Sequence, residues 1–175
     1  MMDLVFEAAK SGKEGAVLSA CRSYRYRLDR WWSDEGGCVA WVMLNPSTAD
    51  ATMDDPTIRK CIGFSKHWGY GRLIVVNLFA LRSTDPAALA KHADAVGIHN
   101  DQHITQALEV ADEVIVAWGC QQHMSTEMLN RRPLQLAKLL PLDVEVNCLG
   151  YRKDGAPRHP LMLAYSTERR PWLLS

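Results

Sequence analysis

Four stretches of this chain end in side chains able to do hydrogen-bonding or acid–base chemistry. Asn45 opens Asn45-Pro46-Ser47-Thr48-Ala49-Asp50, Asn77 opens Asn77-Leu78-Phe79-Ala80, Trp118 precedes Gly119, and Arg158 and His159 precede Pro160. An asparagine amide presents a donor and an acceptor together, which suits the edge of a pyrimidine or of another amide. Histidine ordinarily titrates near neutrality, and His159, stiffened by Pro160, is the best general acid or electrophile among the six histidines. Asp50, Asp54 and Asp55 offer carboxylates for general-base work or oxygen ligands for a divalent cation. Arg82 is a candidate phosphate contact. Each residue also has a plainer use. Asn-Pro is a turn signal, Asp55 before Pro56 is a helix cap, a strand-end asparagine can cap backbone groups, and Arg82 can be a surface charge.

The elements that must position these groups follow from the apolar pattern. Residues 39–44, 73–76, 114–118 and 144–149 read as buried strands, and the first two end abruptly in asparagine. Residues 24–32 alternate bulky and charged side chains, the period of a half-buried strand. The turn at 33–37 predicts a hairpin between that strand and 39–44. Asp55-Pro56-Thr57 starts a helix whose apolar positions fall at Ile58, Cys61, Ile62 and Phe64, and Gly69-Tyr70-Gly71 ends it. Further helices are expected over 87–93, 100–110 and 124–140, the last with Pro133 as a kink or boundary. Strands alternating with helices imply a parallel, helix-covered sheet. The expected fold is a single α/β domain over 1–175, three-layer α/β/α, with a central mostly parallel four-stranded sheet plus an N-terminal hairpin strand. Such a sheet brings its strand carboxyl ends to one side, where ligands bind in open α/β folds. Asn45, Asn77, Trp118 and His159 should therefore become neighbours.

Bulk properties narrow the partners. Twenty acidic and twenty basic side chains balance to zero formal charge, which argues against a non-specific polyanion binder. No apolar run approaches the roughly 20 residues of a membrane span. The segment Met1-Met2-Asp3-Leu4-Val5-Phe6-Glu7 has neither the basic flank nor the apolar run of a signal peptide, so a cytoplasmic protein is expected. The five cysteines form no Cys-x-x-Cys pair, so reduced thiols are expected, with Cys38 and Cys148 as small core residues. No Gly-x-Gly-x-x-Gly, phosphate loop or Gly-x-Ser-x-Gly elbow occurs, and His99 and His103 lack the intervening glutamate of a zinc motif. No resident cofactor or metal is expected.

Met43-Leu44-Asn45-Pro46-Ser47-Thr48-Ala49-Asp50, Asp55-Pro56-Thr57, Trp68-Gly69-Tyr70-Gly71, Asn77-Leu78-Phe79-Ala80, Thr84-Asp85-Pro86, Ala117-Trp118-Gly119 and Gly155-Ala156-Pro157-Arg158-His159-Pro160-Leu161 resemble the bacterial and phage domain-of-unknown-function 1643 family. That resemblance runs from about residue 24 to 163 and implies no established activity. A more distant likeness is to the uracil-DNA glycosylase superfamily. Leu44-Asn45-Pro46-Ser47 is similar to its first loop, Asn77 to its base-reading asparagine, and His159-Pro160-Leu161 to its last motif, in the same order along the chain. Leu44 and Leu161 stand where that superfamily has glycine and serine. The likeness implies the glycosylase-like fold and an N-glycosidic hydrolase acting on a nucleotide, a nucleoside or a base in DNA. Asn45 and Asp50 would position or activate water, and His159 would stabilise the departing base. Asn77 would read the base edge, with Phe79, Arg82, Trp118 and Arg158 completing the substrate-binding set. The expected partner is a nucleobase-containing small molecule or single-stranded nucleic acid. The alternatives are an inactive nucleotide or nucleic-acid binding module and, more weakly, a metal-dependent phosphotransferase or nuclease built on Asp50, Asp54 and Asp55.

Overall fold

The computed structural model describes residues 4–8, 14–119 and 126–174, which form an eight-stranded sheet with helices on both faces. The strands are β1 (Leu4–Ala8), β2 (Gly15–Ser19), β3 (Arg25–Trp31), β4 (Cys38–Met43), β5 (Arg72–Asn77), β6 (Glu113–Val116), β7 (Glu145–Cys148) and the short β8 (Arg170–Pro171). The helices are α1 (Pro56–His67), α2 (Ala87–Lys91), α3 (Asn100–Glu109) and α4 (Thr126–Leu139). Cys120 and His123 lie outside the described residues, as does the start expected for the helix at 124. None of the helices described is long and apolar enough to cross a membrane.

Strand order is β1-β2-β3-β5-β4-β6-β7-β8. Strand β4 is buried along its whole length, and its side chains divide by parity. Ala40 and Val42 join the core under α3 and α4, whereas Val39, Trp41 and Met43 join the core under α1. A strand covered on both faces reads as an unbroken apolar run, which is why its sequence was conspicuous. Asp55 caps α1 by accepting from the Ile58 N–H at 2.9 Å, and Pro56 occupies the first helical position. Ile58, Cys61, Phe64 and Ser65 form the buried face of α1. Trp41 then donates its indole N–H to Ser65 Oγ at 3.0 Å and stacks on Trp68 at 5.7 Å.

Two sequence expectations are corrected. The sheet is not a mostly parallel four-stranded one with a single added hairpin strand. It has eight strands, and the four antiparallel pairings (β1–β2, β2–β3, β3–β5, β7–β8) outnumber the three parallel ones (β4–β5, β4–β6, β6–β7). Nor does β3 form a hairpin with β4. It lies antiparallel to β5, with Leu28 opposite Val75, and β5 separates it from β4. The reason is burial. Strand β3 carries Arg27 and Asp29 on partly exposed positions and tolerates a place away from the centre, whereas β4 needs a buried strand on each side. Backbone bonds fix that choice, since Trp32 and Ser33 donate to the Gly71 carbonyl while Gly71 and Arg72 donate to the Gly37 carbonyl. A methyl group on Gly71 would sit 1.9 Å from the Glu35 carbonyl oxygen, so the two turns meet only because that side chain is absent.

Pro133 lies inside α4 and does not bound it. At the far edge the chain returns through a 3-10 turn, Pro160–Met162, and β8 pairs antiparallel with β7.

Candidate functional site

A cavity of about 370 Å³ opens where β4, β5 and β6 end. Asn45 follows β4, Asn77 closes β5, and Trp118 lies just beyond β6; all three line the cavity. Asp55 and Thr57 contribute from the start of α1, and Arg152 and His159 from the loop after β7. This is the size of a small-molecule site.

The loop that delivers His159 is tightly built. Arg152 N donates to Ala156 O at 2.8 Å, Arg158 N to Gly150 O at 2.9 Å, and Gly119 N to Pro157 O at 2.9 Å. Gly119 has φ +75°, and a Cβ there would lie 2.6 Å from the Cβ of His159. The Trp-Gly pair and the Arg-His-Pro triplet, distant along the chain, are thus packed backbone to side chain. His159 Nδ1 accepts the Leu161 N–H at 3.3 Å, so in the neutral ring Nε2 carries the proton. Burial holds this imidazole below its ordinary pKa, against the pull of Asp55. At neutral pH His159 is a neutral donor through Nε2.

Asn77 is 2 % exposed, and its Oδ1 is buried with no hydrogen-bond partner in the protein. Its own backbone is held firmly: Asn100 donates from Nδ2 to the carbonyls of Asn77 at 2.9 Å and Leu78 at 3.1 Å, and Arg132 Nε donates to Leu78 O at 2.9 Å. A buried amide oxygen left unpaired carries a cost in free energy that a hydrogen-bond donor would offset. Asn45 behaves differently. Its Nδ2 donates to the carbonyls of Ser83 at 2.9 Å and Pro46 at 3.1 Å, which ties the loop after β4 to the loop after β5.

The other sequence candidates divide. Trp118 lines the cavity and packs edge-on to Trp172 at 5.8 Å. Asp50 does not line it. Its Oδ1 accepts from the N–H groups of Thr52 and Met53, both at 2.9 Å, and the Thr52 amide leads the effects that hold its pKa below the usual carboxylate value. Phe79 is 1 % exposed in the core beneath Arg132, away from the cavity lining. Arg82 lines a neighbouring groove, and Arg158 is exposed outside both. The carboxylates that a metal centre would need are dispersed: Asp50 serves its own turn, Asp54 pairs with Arg30 Nε at 2.8 Å, and Asp55 caps α1. Among the described residues no group of three histidines, cysteines or acids comes together in a way that could hold a metal ion.

Sequence reasoning missed Arg25. It is 2 % exposed, lines the cavity, donates from Nη1 to Ala49 O at 2.8 Å, and leaves Nε buried without a protein partner. Burial pulls its pKa down to about 10, with Asp55 opposing and Arg82 and Arg30 adding to the effect, so it remains a cation at neutral pH. No signal in the sequence sets it apart from Arg27 and Asp29, which share its parity in β3; alternation alone marks such an arginine as exposed.

No curated protein and no solved structure matches the chain, so the likeness to uracil-DNA glycosylases stays with the three loops that suggested it. A family model described as "Protein of unknown function (DUF1643)" matches residues 25–161, a span that contains every residue named above as lining the cavity. By that match the chain belongs to the DUF1643 family of proteins of unknown function.

Proposed function

We propose that the cavity binds a nucleobase-containing ligand and hydrolyses its N-glycosidic bond. The observation that carries this reading is that Asn77, whose Oδ1 is buried and unpartnered, lines a cavity that also holds a neutral imidazole and a carboxylate. The ring N–H or exocyclic amino group of a base supplies the donor that this oxygen lacks. Because a buried acceptor without its bond costs about 1–3 kcal/mol, a ligand that provides the donor is selected over one that does not.

In the reaction the bond from the sugar anomeric carbon to the base nitrogen breaks, and its electron pair leaves with the base. The Nε2–H of His159 donates to the charge developing on that base, a role that fixed donors perform best in a water-poor site. Water adds to the anomeric carbon and gives up a proton to Asp55, the carboxylate that lines the cavity. Asp55 thus takes the part that sequence reasoning gave to Asp50. Asn45 acts by holding the two loops together, and Trp118 offers an apolar wall to the base.

A second reading, an inactive binding module, is favoured by one fact: Asp55 already spends an oxygen on the α1 cap. Incubation with nucleosides, nucleotides and short single-stranded oligonucleotides, with released base measured by liquid chromatography, separates the two. Base release by the wild type, abolished in Asn77→Ala and reduced at least about a hundredfold in His159→Ala, supports the hydrolase. Binding without release supports the module. Neither binding nor release from any of them overturns the nucleobase reading.

A further inference from the structure

A groove of about 570 Å³ adjoins the cavity, and Ser47, Ser83 and Thr84 line both. Beyond this common wall the groove is lined by Arg22, Arg82 and His92, with no acidic side chain among its described lining residues. Backbone bonds fasten its sides together. Arg82 N donates to Ser23 O at 2.8 Å, Ser83 N donates to Pro46 O at 2.9 Å, and Tyr24 bridges Leu81. The turn after β2, the loop after β4 and the loop after β5 therefore form one surface.

Arg82 is under-used on this surface. Arg82 Nε is buried without a protein partner, and its Nη1 reaches only the Arg22 carbonyl at 3.4 Å. Arg22 sits at φ +59°, a conformation rare outside glycine. It pairs with Glu7, but with its side chain 54 % exposed, and a pair that open to water competes weakly with a bound anion. His92 spends Nδ1 on the Asp94 backbone. Asp50 lies near enough to feel Arg82 but is committed to its own turn. On the cavity side of the wall, Arg25 is close enough to Arg82 for the two charges to oppose one another. An anion bound beside Arg82 relieves that repulsion.

We propose that this groove binds the phosphate of the ligand whose base occupies the cavity, so that the substrate is a nucleotide, free or as a unit of a single strand, and not a free base or nucleoside. This rests on the nucleobase reading of the cavity. The cation count suits one or two phosphates, in keeping with a chain of zero formal charge; an extended polyanion footprint needs many more.

The test is isothermal titration of wild type, Arg82→Gln and Arg22→Gln with uridine and cytidine, their monophosphates, a pentanucleotide, and inorganic phosphate, each variant first matched to wild type in unliganded melting temperature. The monophosphate should bind wild type at least about tenfold tighter than the nucleoside, the worth of one hydrogen bond to a charged group. Arg82→Gln should erase most of that advantage, and Arg22→Gln part of it. Tighter binding of the pentanucleotide than of the monophosphate names a strand as the source of the phosphate, and equal binding names the free nucleotide. Equal affinity of wild type for nucleoside and nucleotide overturns the groove while sparing the cavity, as does a loss of both in equal measure in Arg82→Gln. Inorganic phosphate bound by wild type and not by Arg82→Gln, with no nucleoside bound, keeps the groove and removes the base reading. No binding by any probe removes both.

Discussion

Single residues carry the chemistry of this molecule, and two histidines show how environment divides their work. His159 is neutral with a defined tautomer at the cavity. His103 is buried in the sheet–helix interface, stacked on Tyr26 at 5.5 Å with both ring nitrogens unpartnered in the protein. Burial lowers its pKa, Arg27 and His99 push the same way, and Asp29 opposes. In the unfolded chain this imidazole takes up a proton near pH 6.5, whereas in the folded chain it does so only at lower pH. The unfolded state then binds more protons, so stability falls as pH drops through about 6.5. His103→Phe keeps the stacked shape and removes the titration. Urea unfolding between pH 7.5 and 5 should show a shallower acid decline in the variant, with His159 accounting for part of what remains; identical declines would refute the assignment. The place of Asn77 at the end of β5 was legible because a polar group breaking an apolar run stands out. Arg25 and His103 were not, because the sequence shows a charge or an imidazole but not the atoms that will cover it.

At the scale of elements, α1 joins fold to site through one residue. Asp55 caps the helix and lines the cavity, and the two duties separate by substitution. Asparagine caps about as well as aspartate, whereas alanine loses about 1 kcal/mol. Asp55→Asn should therefore keep wild-type stability and lose base release, while Asp55→Ala loses both. Thermal melts paired with the release assay check this, and unimpaired release by Asp55→Asn would show that the carboxylate only caps. The start of α1 and the runs of β4, β5 and β6 were readable from caps and from continuous apolar character. Pairing was not. The alternation in β3 declares a strand but not its partner, and the turn after it reads as a hairpin unless one knows that Gly36 and Gly71 let two turns interlock. Strand β1 escaped notice because Leu4, Val5 and Phe6 are exposed at the sheet edge, where burial imposes little pattern.

Across the whole molecule, the end of the sheet opposite the cavity is closed by a buried acid. Glu113, 3 % exposed at the start of β6, accepts from Tyr70 Oη at 2.5 Å, Asn147 Nδ2 at 2.7 Å and Arg169. Those partners come from the turn after α1, from β7 and from the C-terminal segment, which also lays Arg169 over Trp68 at 4.7 Å and Tyr165 edge-on to Phe64 at 5.0 Å. One carboxylate thus fastens the chain's return across the α1 face. Removing it takes the acceptor from a guanidinium and a phenol, while the Asn147 amide keeps Glu145 Oε1 at 2.9 Å, and loss of one partner of a buried pair costs about 3–5 kcal/mol. The lower end applies because Arg169 keeps a third of its side chain in water. Arg169→Ala should cost less, since Tyr70 and Asn147 still satisfy the acid. The double variant should cost little beyond Glu113→Ala, because neighbours in one network are not additive. Denaturant unfolding of the four proteins at neutral pH measures this, and losses that simply add would show that Glu113 and Arg169 act independently. Ligand binding at the distant cavity should survive Arg169→Ala, which separates what holds the sheet together from what the strand ends recognise.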